Sequence, residues 1–416
     1  MTGCTLKNEV EVYPLVTSPP RRLFSTLVSS VEAGDYVRAL TFIEASAGKT
    51  ERSAEEAAAL GKIELASGRY QAAYRHLQEA LARESSRDKR ALIAFDLSQT
   101  AYLDDRFDDA RRWAREAAGY GLPIRSWYLA FLDALAGVPA LTITGTTEQK
   151  AFAFGAPDIP RIQASVNGRR DVTAILDTAA VLTIVSEKLA SDLSIRKLGE
   201  FNGTFVGLIG EPIRVTFGIL ESIRIGELEA RNVPVAIMPD DKLSFFVVEK
   251  QPFKMDLLLG MNLLRRLRLD LRFTGRILSM TPIERNDELI EDPNLFLVDF
   301  RPVVPASIHR KGSYPFLLDT GSEVTFLNST TLADTSARGA RTVHGATLQG
   351  LGGARKYGEK IGAVELGLAG WGATYETLPL YEHDSSAFGI VGQSFLKHFR
   401  VVIDFGRMRL DLLQEE

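Results

Sequence analysis

The chain has 416 residues, which is too long for one hydrophobic core and indicates two or three domains. Hydrophobic residues make up 45% of it and charged residues 25%, as in an ordinary globular protein, and the formal net charge of −4 argues against nonspecific nucleic-acid binding as its main role. No apolar run approaches the roughly 20 residues of a transmembrane helix. The sequence therefore predicts neither a nucleic-acid partner nor a transmembrane segment.

The first twenty residues form a leader that contains the single cysteine, Cys4. One thiol can form neither an internal disulfide nor a cysteine metal cluster. Thr2-Gly3-Cys4 resembles the end of a bacterial lipoprotein signal, although the apolar region that normally precedes such a cysteine is missing. Two interpretations stay open: a lipid anchor at Cys4, which would place the protein in the periplasm, and a cytoplasmic protein with one reduced thiol.

Residues 21–137 predict an all-α domain, because Ala, Leu, Glu and Arg are frequent and apolar residues recur at helical spacing. A small or turn residue, an aromatic and an alanine recur at Gly34-Asp35-Tyr36 with Ala39, at Gly68-Arg69-Tyr70 with Ala73, and at Asp105-Arg106-Phe107 with Ala110. The period of about 34 residues resembles that of tetratricopeptide repeats. The resemblance implies helical hairpins with a concave face for a protein or peptide partner; a plain helical bundle that only spaces or solubilises the rest is the alternative.

The pattern changes after the helical region. Threonine, glycine and proline accumulate over residues 138–158, which predicts a linker. From residue 161 the apolar period becomes two, and short strands alternate with Gly and Pro turns to the end of the chain. This pattern indicates a β-rich barrel or sandwich.

The β-region contains an internal duplication. Five motifs recur in order at offsets of 132 to 145 residues: Asp177 with Asp319, Thr183 with Thr325, Gly207–Gly210 with Gly350–Gly353, Val233-Pro234 with Leu378-Pro379, and Leu257–Gly260 with Gly389–Gly392. After the last motif each copy has an apolar pair and a basic residue. We therefore predict two lobes, residues 159–283 and 296–416, joined by a linker over 284–295 and working in cis within a monomer.

Each copy has an apolar run that ends in Asp-Thr and a small residue. The two strings are Ile175-Leu176-Asp177-Thr178-Ala179-Ala180 and Leu317-Leu318-Asp319-Thr320-Gly321-Ser322. With the downstream Gly-rich segment, they resemble the lobes of aspartic peptidases. Retropepsins use one lobe per subunit and pepsin-like enzymes fuse two, so this chain resembles two retropepsin-type lobes in tandem. The resemblance implies an all-β, bilobal, double-psi barrel fold and an aspartic-type endopeptidase that needs no metal or organic cofactor.

The chemistry of this class depends on a pair of carboxylates about 3 Å apart. As is established for the class, two like charges so close cannot both ionise and share one proton. One carboxylate takes a proton from water while the other donates one to the substrate. The resemblance assigns these catalytic roles to Asp177 and Asp319.

The neighbouring residues are expected to support the pair. By resemblance, Thr178 and Thr320 hydrogen-bond across the lobe interface, Gly321 permits a tight turn, and Ser322 could donate to the outer oxygen of Asp319. The first lobe departs from the family by having Ala179 in place of glycine. If that turn needs a positive φ, the alanine costs about 1 kcal/mol or more.

Two Gly-rich hairpins are predicted to be flaps that close over an extended protein or peptide substrate. The predicted flap residues are Gly207, Leu208, Ile209, Gly210, Gly350, Leu351, Gly352 and Gly353. An inactive lobe pair that only binds peptides is the alternative function. Two other hypotheses remain open: a helical partner-binding domain capped by the lobes, and two second lobes that pair between chains while the first lobe is inert. Arg265, Arg266 and Arg268 are expected at an exposed edge.

Overall fold

The computed structural model describes residues 10–15, 26–46, 51–150, 159–200, 205–206, 212–246, 252–284, 292–332, 342–350, 353–381 and 387–415. Cys4 and the predicted flap residues Gly207, Leu208, Ile209, Gly210, Leu351 and Gly352 lie outside these ranges. Within the described ranges, no helix is both long and apolar enough to cross a bilayer. The described elements fall into a helical region and a β-region.

The helical region consists of consecutive antiparallel helices. Strand β1 (Glu11–Pro14) precedes α1 (Leu27–Glu32), α2 (Tyr36–Ser46), α3 (Ala54–Ala66), α4 (Tyr70–Arg83), α5 (Arg87–Leu103), α6 (Phe107–Tyr120) and α7 (Ser126–Ala134). The helices pack as the pairs α1–α2, α3–α4 and α5–α6. Serine and threonine caps begin several of them: Ser53 accepts the Glu56 N–H at 3.1 Å, and the Glu56 carboxylate accepts the Ser53 N–H in return.

The predicted repeat coincides with the three helical hairpins. Each pair turns at a residue with positive φ: Gly34 (70°), Gly68 (80°) and Asp105 (62°). These are conformations that glycine adopts freely and aspartate tolerates better than most residues. The repeated alanines at positions 39, 73 and 110 are fully buried between the helices. The motif therefore marks the turn and the close helix contact of each hairpin.

The first lobe follows two short strands, β2 (Thr142–Thr144) and β3 (Thr147–Lys150). Its strands are β4 (Arg161–Val166), β5 (Arg170–Leu176), β6 (Thr183–Ser186), β7 (Arg196–Glu200), β8 (Phe205–Val206), β9 (Pro212–Ile213), β10 (Thr216–Ile225), β11 (Leu228–Met238), β12 (Ser244–Phe246), β13 (Pro252–Lys254), β14 (Leu257–Leu259), β15 (Leu267–Arg272) and β16 (Ile277–Pro282). Two helices accompany them, α8 (Glu187–Asp192) and α9 (Met261–Leu264).

The second lobe has the same kind of elements. Its strands are β17 (Phe296–Val298), β18 (Arg301–Ile308), β19 (Lys311–Leu318), β20 (Phe326–Asn328), β21 (Thr342–Gly350), β22 (Gly353–Leu368), β23 (Trp371–Tyr381), β24 (Gly389–Val391), β25 (Arg400–Asp404) and β26 (Arg409–Leu413). Its short helix α10 (Gln393–Leu396) follows β24 as α9 follows β14.

The sheet topology confirms the duplication. The first sheet has the order β2-β11-β6-β14-β5-β4-β10-β7, and the second has β1-β23-β20-β24-β19-β18-β22-β21. Every strand in one order has a counterpart at the same place in the other. A five-stranded sheet, β26-β25-β15-β16-β3, joins the lobes through the antiparallel pairing of β15 with β25. The β-region therefore has the bilobal fold predicted from the sequence.

The segment 138–158, predicted as a linker, contains strands. β2 pairs with β11 at the edge of the first lobe, and β3 pairs with β16 at the edge of the joining sheet. Its threonines are β-branched and suit a pleated edge, which outweighs their frequency in loops. Gly145 makes the turn between the strands at φ +71°, where a Cβ would lie 2.2 Å from the Glu227 carbonyl oxygen.

The prediction of an exposed edge at Arg265 and Arg266 is wrong. Only 6% of Arg265 is exposed. Its guanidinium donates to the Leu103 carbonyl at 2.8 Å and to Asp105 at 3.0 Å, and Arg266 also pairs with Asp105. A charge pattern cannot reveal this, because the acceptors lie 160 residues earlier, in the turn between α5 and α6. The helical region is thus bound directly to the first lobe.

Candidate active site

Each candidate aspartate ends a buried strand in the middle of its lobe. β5 runs parallel to β14, and the Asp177 N–H donates to the Leu259 carbonyl at 3.1 Å. In the same way β19 runs parallel to β24, and the Asp319 N–H donates to the Val391 carbonyl at 3.0 Å. The apolar residues before both aspartates are buried in the lobe cores, which anchors the two loops.

The two aspartate loops meet through reciprocal hydrogen bonds. The Thr178 hydroxyl donates to the Leu318 carbonyl at 2.6 Å, and the Thr320 hydroxyl donates to the Leu176 carbonyl at 2.8 Å. Each threonine N–H donates to the other threonine's hydroxyl, at 3.2 and 3.1 Å. All four bonds cross between the lobes and are buried, so they fix the separation and the twist of the two loops.

The two carboxyl groups occupy one site. Asp177 Oδ1 accepts the Ala179 and Ala180 N–H groups, both at 2.9 Å, and Asp319 Oδ1 accepts the Gly321 N–H at 2.8 Å. A Cβ on Gly321 would lie 2.7 Å from Cγ and 2.9 Å from Oδ2 of Asp177. The carboxyl of the first lobe therefore lies directly against the loop that holds the carboxyl of the second.

Burial shifts the pKa of both acids, and the charge of Asp177 also acts on Asp319. Burial raises the pKa of Asp177 to about 6, against the opposing effect of the Ala180 and Ala179 N–H donors. Burial also raises the pKa of Asp319 well above its ordinary value, and the negative charge of Asp177 raises it further. The Arg301 charge acts on Asp319 in the opposite direction. The two carboxyls therefore titrate as a coupled pair, in which the charge of Asp177 favours the protonated form of Asp319.

Ala179 does not adopt the strained backbone that would have made it costly. Neither Ala179 nor Gly321 has a positive φ, so the condition attached to the alanine penalty is not met. The Ala179 side chain is partly buried against an apolar cluster of the second lobe that includes Leu317, Phe326 and Ile390. The glycine of the second lobe is required by the nearby Asp177 carboxyl, and not by the backbone conformation of the turn.

The role expected for the Ser322 side chain is wrong. Its hydroxyl donates to the Val324 carbonyl at 2.9 Å, two residues further along. This local bond closes the turn after the aspartate and occupies the hydroxyl hydrogen. The backbone of the residue, however, does favour the ionised form of Asp319.

The structure describes the paired strands that flank the tips of the two predicted flap hairpins. β21 and β22 pair as far as Gly350 and Gly353, and β8 pairs with β9 through Val206 and Pro212. β12 of the first lobe lies near both β21 and β22, so the second hairpin extends across the boundary between the lobes.

Gln393 is a supporting residue that the sequence analysis did not single out. Its side-chain amide donates to the Thr320 carbonyl at 2.8 Å, and its backbone N–H donates to the Ser322 carbonyl, also at 2.8 Å. Only 1% of the side chain is exposed, and its Oε1 has no hydrogen-bond partner among the described residues. The first lobe has the apolar Met261 at the equivalent position after its Gly-rich segment. A polar residue at one of two otherwise matching apolar positions was the signal in the sequence that could have pointed to Gln393.

Fold and site together define an aspartic-protease-like protein with two lobes in tandem and a helical N-terminal region. Residues 162–263 match the aspartyl protease family. This match covers most of the first lobe and includes Asp177, the aspartate whose motif departs from Asp-Thr-Gly. No curated protein shows significant similarity to the chain.

Several solved structures of low sequence identity are similar to parts of the chain. A retropepsin-like aspartic protease from Rickettsia conorii is 20% identical, with 34% of this chain and 92% of that chain covered and a TM-score of 0.23. An aspartic proteinase from Irpex lacteus is 11% identical over 67% of this chain and 98% of that one, with a TM-score of 0.34. Basic 7S globulin from soybean is 13% identical over 65% and 95%, with a TM-score of 0.36.

Proposed function

We propose that the chain is an aspartic endopeptidase that hydrolyses peptide bonds of an extended polypeptide. One observation carries this proposal: Asp177 and Asp319 lie in a single site, and Thr178 and Thr320 clamp the two loops together with four buried hydrogen bonds across the lobe interface. A structural role for the aspartates would not require two acids of raised pKa in one site, because placing like charges close together is costly.

The electrostatics of the pair support different roles for the two acids. Because the charge of Asp177 favours the protonated form of Asp319, we propose that Asp177 accepts a proton from the attacking water. Asp319 keeps its proton longer and is proposed to donate it to the carbonyl oxygen of the scissile peptide bond. When the tetrahedral intermediate collapses, Asp177 passes the proton taken from water to the leaving amine. Asp319 recovers a proton from a hydroxyl of the intermediate, which becomes the new carbonyl oxygen, and the starting state of the pair is restored.

The substrate is proposed to bind as an added strand between the lobes. The β21–β22 hairpin reaches the lobe boundary and could supply main-chain hydrogen bonds to an extended peptide. The partial exposure of Asp177 leaves one side of the pair accessible. The predicted role of the helical region as a protein-interaction module remains a separate proposal.

The test compares Asp177→Asn and Asp319→Asn with Asp171→Asn, an exposed control at the start of the same strand as Asp177. We expect both site variants to lose at least about 10³-fold in kcat/KM on fluorogenic peptides at pH 3–7, and the control to keep its activity. Pepstatin should inhibit the unaltered chain.

Three outcomes would contradict parts of the proposal. If the unaltered chain cleaves nothing but binds peptides, the lobes are a binding module. If Asp177→Asn alone stays active, the first lobe is inert and second lobes pair between chains. If activity survives both substitutions, the site is elsewhere.

A further inference from the structure

The helical region contacts both lobes with the same end of its hairpins. The turn at Gly34 lies against Pro315 of the second lobe, where an added Cβ would come within 3.0 Å of the proline ring. The turn at Gly68 lies against Met408, between β25 and β26 of the joining sheet. Asp105 in the third turn holds Arg265 of the first lobe. All three repeated turns therefore face the β-region.

The contact with the first lobe leads directly to the Asp177 loop. Arg265 is the C-cap residue directly after α9, and its guanidinium lies 5.6 Å from the centre of the Tyr102 ring as well as against Asp105. At the other end of α9, the Met261 and Asn262 N–H groups donate to the Ala180 and Val181 carbonyls at 2.7 and 3.1 Å. α9 is only four residues long, so a displacement of Arg265 reaches the aspartate loop through one turn of helix.

The contact with the second lobe is aromatic. Phe300 lies in the turn between β17 and β18, and its ring centroid is 5.2 Å from that of Tyr102 and 5.3 Å from that of Tyr128. Phe296 is 5.2 Å from Tyr36 and belongs to the helical core. β18 pairs with β19, the strand that ends at Asp319. The helical region therefore also supports the second aspartate, through one strand pair.

The duplicated lobes differ at the points where they meet the helical region. Lys397 follows α10 as Arg265 follows α9, yet it is exposed. β17 pairs with β18 in the second lobe, whereas the described residues of the first lobe contain no strand paired in this way with β4. The residues that contact the helical region are therefore not common to both lobes. The first lobe attaches through an ion pair and the second through aromatic contacts.

We propose that the helical region is a positioning element for the acid pair, holding the first lobe through Asp105 and Arg265 and the second through Phe300. This inference rests on the proposed peptidase function, because it explains how the two acids are kept at the separation that the reaction needs. Tyr102 contacts both Arg265 and Phe300, so both lobes pack against the same residue of α5. Small displacements at such a site are costly for catalysis.

The experiment uses the full chain with Asp105→Asn and the matched control Lys397→Ala. Asparagine keeps the shape and tolerates the positive φ of Asp105, but loses the charge that holds Arg265. We expect kcat to fall about 10-fold with KM changed by less than about twofold. Carboxyl ¹³C NMR without substrate should show the two apparent pKa values of the pair move closer by about half a unit, because a wider separation weakens their repulsion. Lys397→Ala should change neither quantity.

Phe300→Leu is a second variant that keeps an apolar side chain at the other attachment, and it should act in the same direction. It decides the question if Asp105→Asn does not fold. The proposal is overturned if a folded variant of either kind keeps the titration of the unaltered pair, or if Lys397→Ala changes it equally. The failure of the proposed function would look different, because the unaltered chain would then show two acids that titrate independently or no peptide cleavage.

Discussion

The two aspartate loops exchange equivalent threonine hydrogen bonds across the lobe interface, but they differ at the residue after the threonine. In the second lobe, position 321 has no room for a side chain, because a Cβ there would lie 2.7 Å from Cγ of the Asp177 carboxyl. In the first lobe, Ala179 has its side chain among apolar groups of the other lobe. The comparison shows that the glycine of the motif is required by a neighbour across the interface. A duplicated motif can therefore lose it on one side only.

Gly321→Ala should have the largest effect on this comparison. The new Cβ would lie 2.7 Å from Asp177 Cγ, and Asp177 is fixed by two N–H donors, so the pair must shift. We expect kcat/KM to fall at least about 100-fold. Peptide cleavage assays check this, with circular dichroism as the control for folding. Near-normal activity would show that the Asp177 carboxyl can move freely.

Thr178→Val and Thr320→Val test what the loops share. Each substitution removes a hydroxyl that donates to one backbone carbonyl and accepts one N–H across the interface. Leaving two buried groups unpaired should lower the free energy of unfolding by about 3 kcal/mol in either variant. Urea denaturation measures it. Clearly unequal losses would mean that the two lobes do not contribute equally to the clamp.

Asp177→Asn should stabilise the fold in a pH-dependent way. The unfolded chain releases the Asp177 proton near its ordinary pKa of 3.8, whereas the folded chain holds it up to about pH 6. Stability of the unaltered chain therefore falls as the pH rises between these values. At pH 7 the free energy of unfolding of the variant should exceed that of the unaltered chain by about 2 kcal/mol. Below about pH 4 the two free energies should be equal.

Asp270→Asn is the control for that experiment, because it should behave in the opposite way. The Arg400 guanidinium binds this buried carboxylate at 2.6 and 2.9 Å and holds its pKa below the ordinary value, against the effect of burial. Its loss should destabilise the chain at neutral pH and matter less as the pH falls through the lowered pKa. Urea denaturation at pH 7 distinguishes the two signs, and measurements below pH 3.8 follow the loss of the Asp270 contribution.

Ala179→Gly should have the smallest effect. Because Ala179 has no positive φ and so no left-handed backbone strain to relieve, restoring the motif should change kcat/KM by less than about threefold. Added backbone freedom should cost about 0.5–1 kcal/mol of stability. A large gain in activity would instead show that the alanine side chain obstructs the site, and would make the two loops less alike than their hydrogen bonds indicate.

The sequence predicted the parts of the fold that depend on pattern. The helical repeat, the two lobes and their duplication follow from spacing and from the recurrence of the Asp-Thr motif. The resemblance also anticipated the bonds of Thr178 and Thr320. These features are local or repeated, so each copy supports the interpretation of the other.

The parts that the sequence did not predict depend on contacts between distant segments. The burial of Arg265 needs Asp105, the threonine-rich strands need the edges of two sheets, and the Ser322 hydroxyl has a nearer acceptor than Asp319. The steric reason for Gly321 lies in the opposite lobe. One-dimensional spacing carries no information on such partners.

The place of β1 in the second lobe has a consequence for biosynthesis. Pro14 pairs with Trp371, so one edge of the sheet joins residues near the start of the chain to a strand made close to its end. At roughly 5–20 residues per second, a ribosome needs on the order of 20–70 s to synthesise the intervening chain. The first strand emerges long before its partner exists and must wait unpaired. Until then its backbone donors and acceptors lack their native partners, and unpaired strand edges are prone to wrong pairing.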